Sequence, residues 1–278
     1  MTMISTEHCV EATGLDLAYG DRTVVTDLDL SIRRGVITTI VGPNGCGKST
    51  LLRSVGRLLK PKQGQVLLDG NDIASIKPKQ LAKLLAVLPQ SPTAPEGLRV
   101  ADLVARGRSP HQSWIRQWSG DDEAVVTDAL RLTGISDLAD RSVDELSGGQ
   151  RQRAWIAMAL AQETDVLLLD EPTTYLDLAH SIEVLDLVDR LHDEMGRTVV
   201  MVLHDLNLAI RYSDVLVVMK SGKIVATGTP KEVVTEELLL EVFGLRSRVI
   251  DDPVSDRPLI IPVGTRHVLG SVGGPTPH

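Results

Sequence analysis

The sequence predicts an α/β chain: a mostly parallel sheet covered by helices on both faces, an antiparallel β subdomain at the N-terminus, and a helical insert in the middle. Three observations carry this. Apolar runs of strand length at residues 36–41, 165–169, 198–203 and 214–219 alternate with helically patterned segments at 149–162, 178–195 and 205–211, which is the rhythm of parallel strands joined by crossover helices. Near the N-terminus, Leu15-Asp16-Leu17 and Leu28-Asp29-Leu30-Ser31-Ile32 alternate apolar with polar residues, the pattern of half-buried antiparallel strands. Between residues 91 and 144 the strand signals stop and helical ones replace them.

Each element follows in order. The β-branched run 36–41 leads directly into a glycine-rich loop, and a helix is expected from residue 48 to 59, stopped near Pro61. Val66-Leu67-Leu68, a turn at Asp69-Gly70 and the run 84–88 read as further strands. Pro92 and Pro95 break the chain, after which residues 100–106 and 123–132 carry helical periodicity. Ser221-Gly222 predicts a hairpin turn into a last strand at 223–227. Beyond Gly228, residues 236–243 read as a short helix, with small strands at 248–250 and 259–261. The expected organisation is one nucleotide-handling domain over residues 5–245, with its helical subdomain at about 91–160, and an extension at 246–278.

Composition narrows the function. The formal charge is −8 and aromatic residues make up 3% of the 278 residues. Both argue against nucleic acid as a partner, through field and through the lack of a stacking platform. No run approaches the roughly 18 apolar residues of a spanning helix. The N-terminus lacks a basic region followed by an apolar stretch, so no secretion signal is expected. Cys9 and Cys46 are the two cysteines, too few for a disulfide scaffold and suited to a reducing cytoplasm.

The chemistry begins at Gly42-Pro43-Asn44-Gly45-Cys46-Gly47-Lys48-Ser49-Thr50, which fits G-x-x-x-x-G-K-[ST]. Phosphate oxygens need many donors converging from one side. Glycines let the backbone curl so that successive N–H groups face inward, at the start of a helix whose dipole favours anions. The strand before and the helix after are what such a loop requires, and they make the core that of a P-loop NTPase. Lys48 is expected to reach the β- and γ-phosphates and Ser49 to ligate Mg²⁺. Cys46 fills a variable slot of the loop as a small neutral residue.

Val166-Leu167-Leu168-Leu169-Asp170-Glu171 is a buried strand delivering two carboxylates at its C-terminal end, where α/β sheets place ligand groups. Asp170 is expected to hold Mg²⁺ through water, and Glu171 to polarise the attacking water as a general base. About a hundred residues after the phosphate loop comes Leu146-Ser147-Gly148-Gly149-Gln150. Ser147 is a good helix N-cap. Two glycines weaken a simple helix start, and they are expected where a second γ-phosphate approaches the backbone.

With these motifs in order, residues 10–228 resemble the nucleotide-binding subunit of ATP-binding-cassette (ABC) transporters. The resemblance implies ATP and Mg²⁺ as ligands and a head-to-tail pair of chains, each ATP lying between the Lys48 loop of one copy and the Ser147 loop (Ser147, Gly148, Gly149, Gln150) of the other. It further implies that Tyr19 stacks on adenine, that Gln90 senses Mg²⁺ and faces the membrane partner, that Asp177 in Leu176-Asp177 communicates across the dimer, and that His204 bonds the γ-phosphate. Tyr175 departs from the small residue commoner at its position. The implied partners are integral-membrane permease subunits, a second copy of the chain and, through the permease, a substrate-binding protein. The location implied is the cytoplasmic membrane face.

Ser91-Pro92-Thr93-Ala94-Pro95-Glu96, Arg106-Gly107-Arg108-Ser109-Pro110-His111 and the stretch from Asp170 to His180 resemble the ATPases of bacterial iron–siderophore importers. Haem, cobalamin or another small solute stays open as cargo, since cargo binds other subunits. A soluble ABC protein acting on DNA or ribosomes is a further alternative. Against it stand the single cassette, the lack of room for a long coiled coil and the acidic charge. A nucleotide-binding module without hydrolysis is disfavoured by the presence of both Glu171 and His204.

Overall fold

The structure, a computed structural model, describes residues 8–112 and 118–264; the start of the expected domain, at residue 5, and the last part of the expected extension lie outside the described residues. In chain order the elements are β1 (His8–Tyr19), β2 (Arg22–Arg33), β3 (Ile37–Val41), α1 (Lys48–Val55), β4 (Gln63–Leu68), β5 (Asn71–Asp72), α2 (Pro78–Leu81), β6 (Leu85–Leu88), α3 (Val100–Ala105), α4 (Gly120–Leu132), α5 (Gly148–Ala161), β7 (Val166–Asp170), α6 (Leu178–Met195), β8 (Thr198–Val202), α7 (Leu206–Arg211), β9 (Val215–Lys220), β10 (Lys223–Gly228), α8 (Pro230–Val233), α9 (Glu236–Phe243), β11 (Ser247–Asp251) and β12 (Pro258–Pro262).

The central sheet runs β10-β9-β3-β8-β7-β6. All neighbours pair in parallel except the β9–β10 hairpin. β3, β7 and β8 are buried at every position, as the inner strands of a parallel sheet require, whereas the antiparallel edge strand β10 is not. Successive residues therefore feed two cores. Leu167, Leu169, Val199, Met201, Leu216 and Val218 face a core shared with α3, α4, α5, α6 and α7. Val166, Leu168, Val200, Val202, Val217 and Met219 face a second core shared with α1 and an antiparallel sheet of order β2-β1-β4-β5. The α/β class, the antiparallel subdomain and the helical insert are all present.

Three expectations shift in detail. The N-terminal strands are far longer than the alternating runs suggest, each of 12 residues. Register irregularities beside Gly14 and Asp27, both at positive φ, let the pairing continue past breaks in the pattern. Helix α1 ends at Val55, not residue 59, because Arg57 takes φ 56° and Leu58 N–H turns back to Arg53 O at 2.7 Å. Helix α4 begins at Gly120, earlier than its apolar pattern, because Ser119 and Asp122 close a capping box.

Residues 247–262 form an antiparallel hairpin. It is no loose appendage: Ile260 is buried in the helical-side core. Among the described residues, no helix is long and apolar enough to cross a membrane.

Candidate nucleotide-binding and hydrolytic site

Strand order sets the site. Register places Ile40 of β3 beside Val202 of β8, and Val202 beside Asp170 of β7. The loops leaving these three adjacent strands emerge side by side at the carboxyl edge of the sheet, where the order reverses and ligands bind. They carry the glycine loop, Glu171 and His204.

The glycine loop is tightly braced from below. A side chain at Gly42 would collide with the Met219 carbonyl and with Cys46 Sγ, so only glycine fits there. Gly222 N–H, in the β9–β10 turn, donates to Cys46 O at 2.9 Å. Cys46 is buried, and burial pushes its thiol above the ordinary range while nearby Lys48 pulls the other way. It is a neutral filler, as expected. Lys48 opens α1, and its Nζ donates to Gly42 O at 2.9 Å and Pro43 O at 3.2 Å. The ammonium thus lies folded against the loop it serves.

Above the loop is a cleft of about 490 Å³, lined by Asn44, Gly45, Gly47, Lys48, Ser49 and Thr50 together with Glu171 and His204. Tyr19 also lines it and is 47% exposed. Arg53 Nη1 reaches the Tyr19 hydroxyl at 3.4 Å.

The two carboxylates have opposite surroundings. Asp170 is 2% exposed, and neither of its oxygens closes a hydrogen bond. The nearest charge is Arg53 Nε at 3.8 Å. Burial raises its pKa; Ser49 and Arg53 act to lower it. A buried anion without donors is costly, and here it sits beside the Ser49 hydroxyl, a hard-oxygen pair that suits a divalent cation completed by phosphate and water.

Glu171 is 8% exposed but richly partnered. Its Oε2 accepts from Gln90 Nε2 and from Thr174 Oγ1 at 2.9 Å. Its Oε1 lies 2.6 Å from His204 Nε2. Its backbone takes φ 54°, a left-handed conformation costing a non-glycine residue about 1–2 kcal/mol. Sequence reasoning singled out Glu171, Gln90 and His204 separately, and the fold brings Gln90 and His204 onto the Glu171 carboxylate. It missed Thr174 and Arg53. Thr174 sits within the motif that holds Glu171 and Asp177; Arg53, one turn along α1, carries no local signal.

The second glycine loop lies elsewhere. Ser147, Gly148, Gly149, Gln150 and Asp177 do not line the cleft. Ser147 caps α5 in a reciprocal box with Gln150, at 3.3 and 3.1 Å. Beside the expected approach of a phosphate, the chain's own packing gives these glycines a second role. A side chain at Gly149 would meet His180 Cδ2 at 2.7 Å, and one at Gly148 would meet Leu176 Cδ2 at 3.3 Å. Gly149 is therefore required within the chain itself, by close packing of α5 on α6. His180 is held in turn by Asp177, the N-cap of α6, whose Oδ1 accepts from His180 N–H at 2.9 Å and lies 2.7 Å from Nδ1. These contacts draw the Asp177 carboxyl below its usual range. Ser147 and Asp177 are both exposed, on a surface formed by the starts of α5 and α6.

Comparison with known proteins identifies the family. The chain is 56% identical over 264 residues to the "Probable siderophore transport system ATP-binding protein YusV" of Bacillus subtilis, covering 95% of this chain and 94% of that protein. It is 53% identical over 250 residues to the ferric enterobactin transport ATP-binding protein FepC of Escherichia coli, covering 90% and 92%. Its fold superposes on a transporter described as of metal-chelate ABC type, in an inward-facing conformation, with TM-score 0.80 at 28% identity over 93% of this chain and 98% of that one. Residues 25–174 match the sequence profile of ABC transporters. A phosphate loop, a strand-end carboxylate pair and a histidine converging on one cleft, in a chain so closely related to transport ATP-binding proteins, belong together: this chain is a member of the ABC transporter family, one of its ATP-binding subunits.

Proposed function

We propose that the chain works as a homodimer that closes on two Mg²⁺-ATP and, on hydrolysis, drives a membrane permease importing a ferric siderophore. The observation that carries the hydrolytic reading is the Glu171 carboxylate, fixed by Gln90, Thr174 and His204 at the edge of the Lys48 cleft.

Each residue then has a task. The amides of Pro43-free positions 44–50 and the Lys48 ammonium hold the phosphates, with Tyr19 under the base. Ser49, Asp170 and Gln90 would hold Mg²⁺, which would supply charge neutralisation for the phosphates. Glu171 orients water and takes its proton, at a carboxylate already pre-organised by three donors. His204, 45% exposed at its side chain, can leave Glu171 and donate to the γ-phosphate. Its bond to Glu171 links the base to the phosphate sensor.

The dimer follows from what one chain leaves undone. The Ser147 loop and Asp177 share an exposed surface away from their own cleft, and α5 offers a helix N-terminus suited to a phosphate. A second copy, head to tail, places that surface over the Lys48 loop. ATP contacting both halves favours closure by its differential affinity for the closed form. Losing the γ-phosphate removes that bridge, and the opening drives a permease docked on the helical insert. The ferric-siderophore cargo rests on kinship with YusV and FepC, and it sets the chain at the cytoplasmic membrane face as a peripheral subunit.

The test is uptake. Deleting the gene should abolish uptake of radio-iron delivered as a siderophore chelate. The wild-type chain should restore it and Glu171→Gln should not. Unchanged uptake in the deletion would refute the cargo.

A further inference from the structure

His204 is set by a very short helix. Asp205 caps α7, accepting from Leu208 N–H at 2.9 Å, and the helix itself has six residues. A helix of this length does not hold itself in water. Its buried face, Leu208, Ala209 and Ile210, is seated in the core, and the β11–β12 hairpin ties down its remaining polar groups.

Three fastenings act along α7. In its first turn Asn207 pairs with β12 as a strand would: Oδ1 accepts from Ile260 N–H at 2.9 Å, and Nδ2 donates to Ile260 O at 3.1 Å. At its end Arg211 Nη2 pairs with Asp252 Oδ2 at 2.7 Å, and that guanidinium, with further donors from Val254 and Ser255, holds the Asp252 carboxyl down to about 2. Arg257, from the hairpin, donates to Ile210 O at 3.1 Å and to Ser213 O, satisfying carbonyls that a helix end leaves open. Asn207 lies three residues from His204, and no glycine intervenes. A shift of α7 is therefore passed to the 2.6 Å contact between His204 and Glu171.

We propose that the C-terminal hairpin is a positioning element of the hydrolytic site, with Asn207 as its positioning residue: the amide clamp on Ile260 fixes α7 and so presents His204 to Glu171 and the γ-phosphate. This rests on the reading that His204 serves hydrolysis. The clamp explains why a hairpin outside the sheet carries a buried core residue and three polar ties to one short helix.

The test compares Asn207→Asp in two backgrounds of the full chain. Aspartate keeps the acceptor for Ile260 N–H but sets an oxygen against the Ile260 carbonyl. In the otherwise wild-type chain, single-turnover hydrolysis should fall ~10–100-fold, as displacement of a reacting group by about an ångström does, with ATP affinity unchanged. In the His204→Ala background the same change should cost no more than about twofold, because residues acting through one another are not additive. Should Asn207→Asp fail to fold, Asp252→Asn, which leaves Arg211 in place, is expected to show the same pattern. Equal losses in both backgrounds, or full hydrolysis by Asn207→Asp, would overturn the clamp while leaving the site intact. A His204→Ala chain hydrolysing at the wild-type rate would overturn the role of His204 and the clamp with it.

Discussion

Glu171→Gln separates the base from the scaffold around it. The side chain is 8% exposed, so its replacement must fill the same volume, and glutamine does. The backbone at φ 54° costs either residue the same. Glutamine's carbonyl oxygen can accept from both Gln90 and Thr174, and its amide nitrogen faces His204 Nε2. The stability change is then the loss of charge assistance alone, about 1 kcal/mol. Glu171→Ala instead strands the Gln90 and Thr174 donors, at about 1–3 kcal/mol. Hydrolysis has no such compensation. An amide cannot take the proton of the attacking water, and removing a general base costs ~10²–10⁴ in rate, which is about 2.7–5.4 kcal/mol of barrier. The assay is single-turnover hydrolysis with labelled ATP, beside equilibrium ATP binding and light scattering with and without ATP. Unchanged affinity, a persistent ATP-bound dimer and a rate depressed by two or more decades are expected (~10², the lower bound above). A folded Glu171→Gln chain turning over at the wild-type rate would refute Glu171 as base.

Further perturbations read the rest of the site. Lys48→Ala removes both the phosphate ligand and the ties to Gly42 O and Pro43 O; ATP binding measured by equilibrium dialysis should be lost, and unchanged affinity would exclude the role. Ser147→Arg should leave ATP binding by the monomer intact but abolish ATP-dependent dimerisation and hydrolysis, at a cost of about 1 kcal/mol for the lost cap; full activity would refute a shared site. Asp170→Asn should raise Tm in magnesium-free buffer while abolishing magnesium-dependent hydrolysis. Burial holds the folded-state pKa of Asp170 above its unfolded value, so its contribution to stability is fully present below the unfolded pKa and is lost as pH rises through the folded one. The gain in Tm should accordingly shrink in acid, and a fall in Tm at neutral pH would contradict a net cost of burying this charge.

Much of the site was legible because its chemistry is written in contiguous residues. A phosphate loop needs glycines, a lysine and a hydroxyl within one turn of chain, between a strand and a helix, and residues 42–50 contain all of them. The carboxylate pair at 170–171 ends an apolar strand, and Ser147, readable as a helix N-cap, caps α5 in the structure. The same local character made the parallel sheet and helical insert readable from periodicity alone. Helix ends were less so: α1 stops where Arg57 adopts a left-handed backbone and its side chain bonds Ile73 O at 2.8 Å, sixteen positions away.

What the sequence by itself determined is the list of reactive groups and the strand–loop–helix units that carry them, because those depend on neighbours a few positions away. Only the tertiary structure decided which groups meet. Gln90 and Glu171 are 81 positions apart, and they touch because β6 and β7 are adjacent strands in register. His180 needs Gly149 because α5 and α6 pack closely. The hairpin at 247–262 reaches α7 through one asparagine and two arginines whose types carry no motif. Contacts of this kind arise from the order of strands and the closeness of helices, which are properties of the whole packed chain.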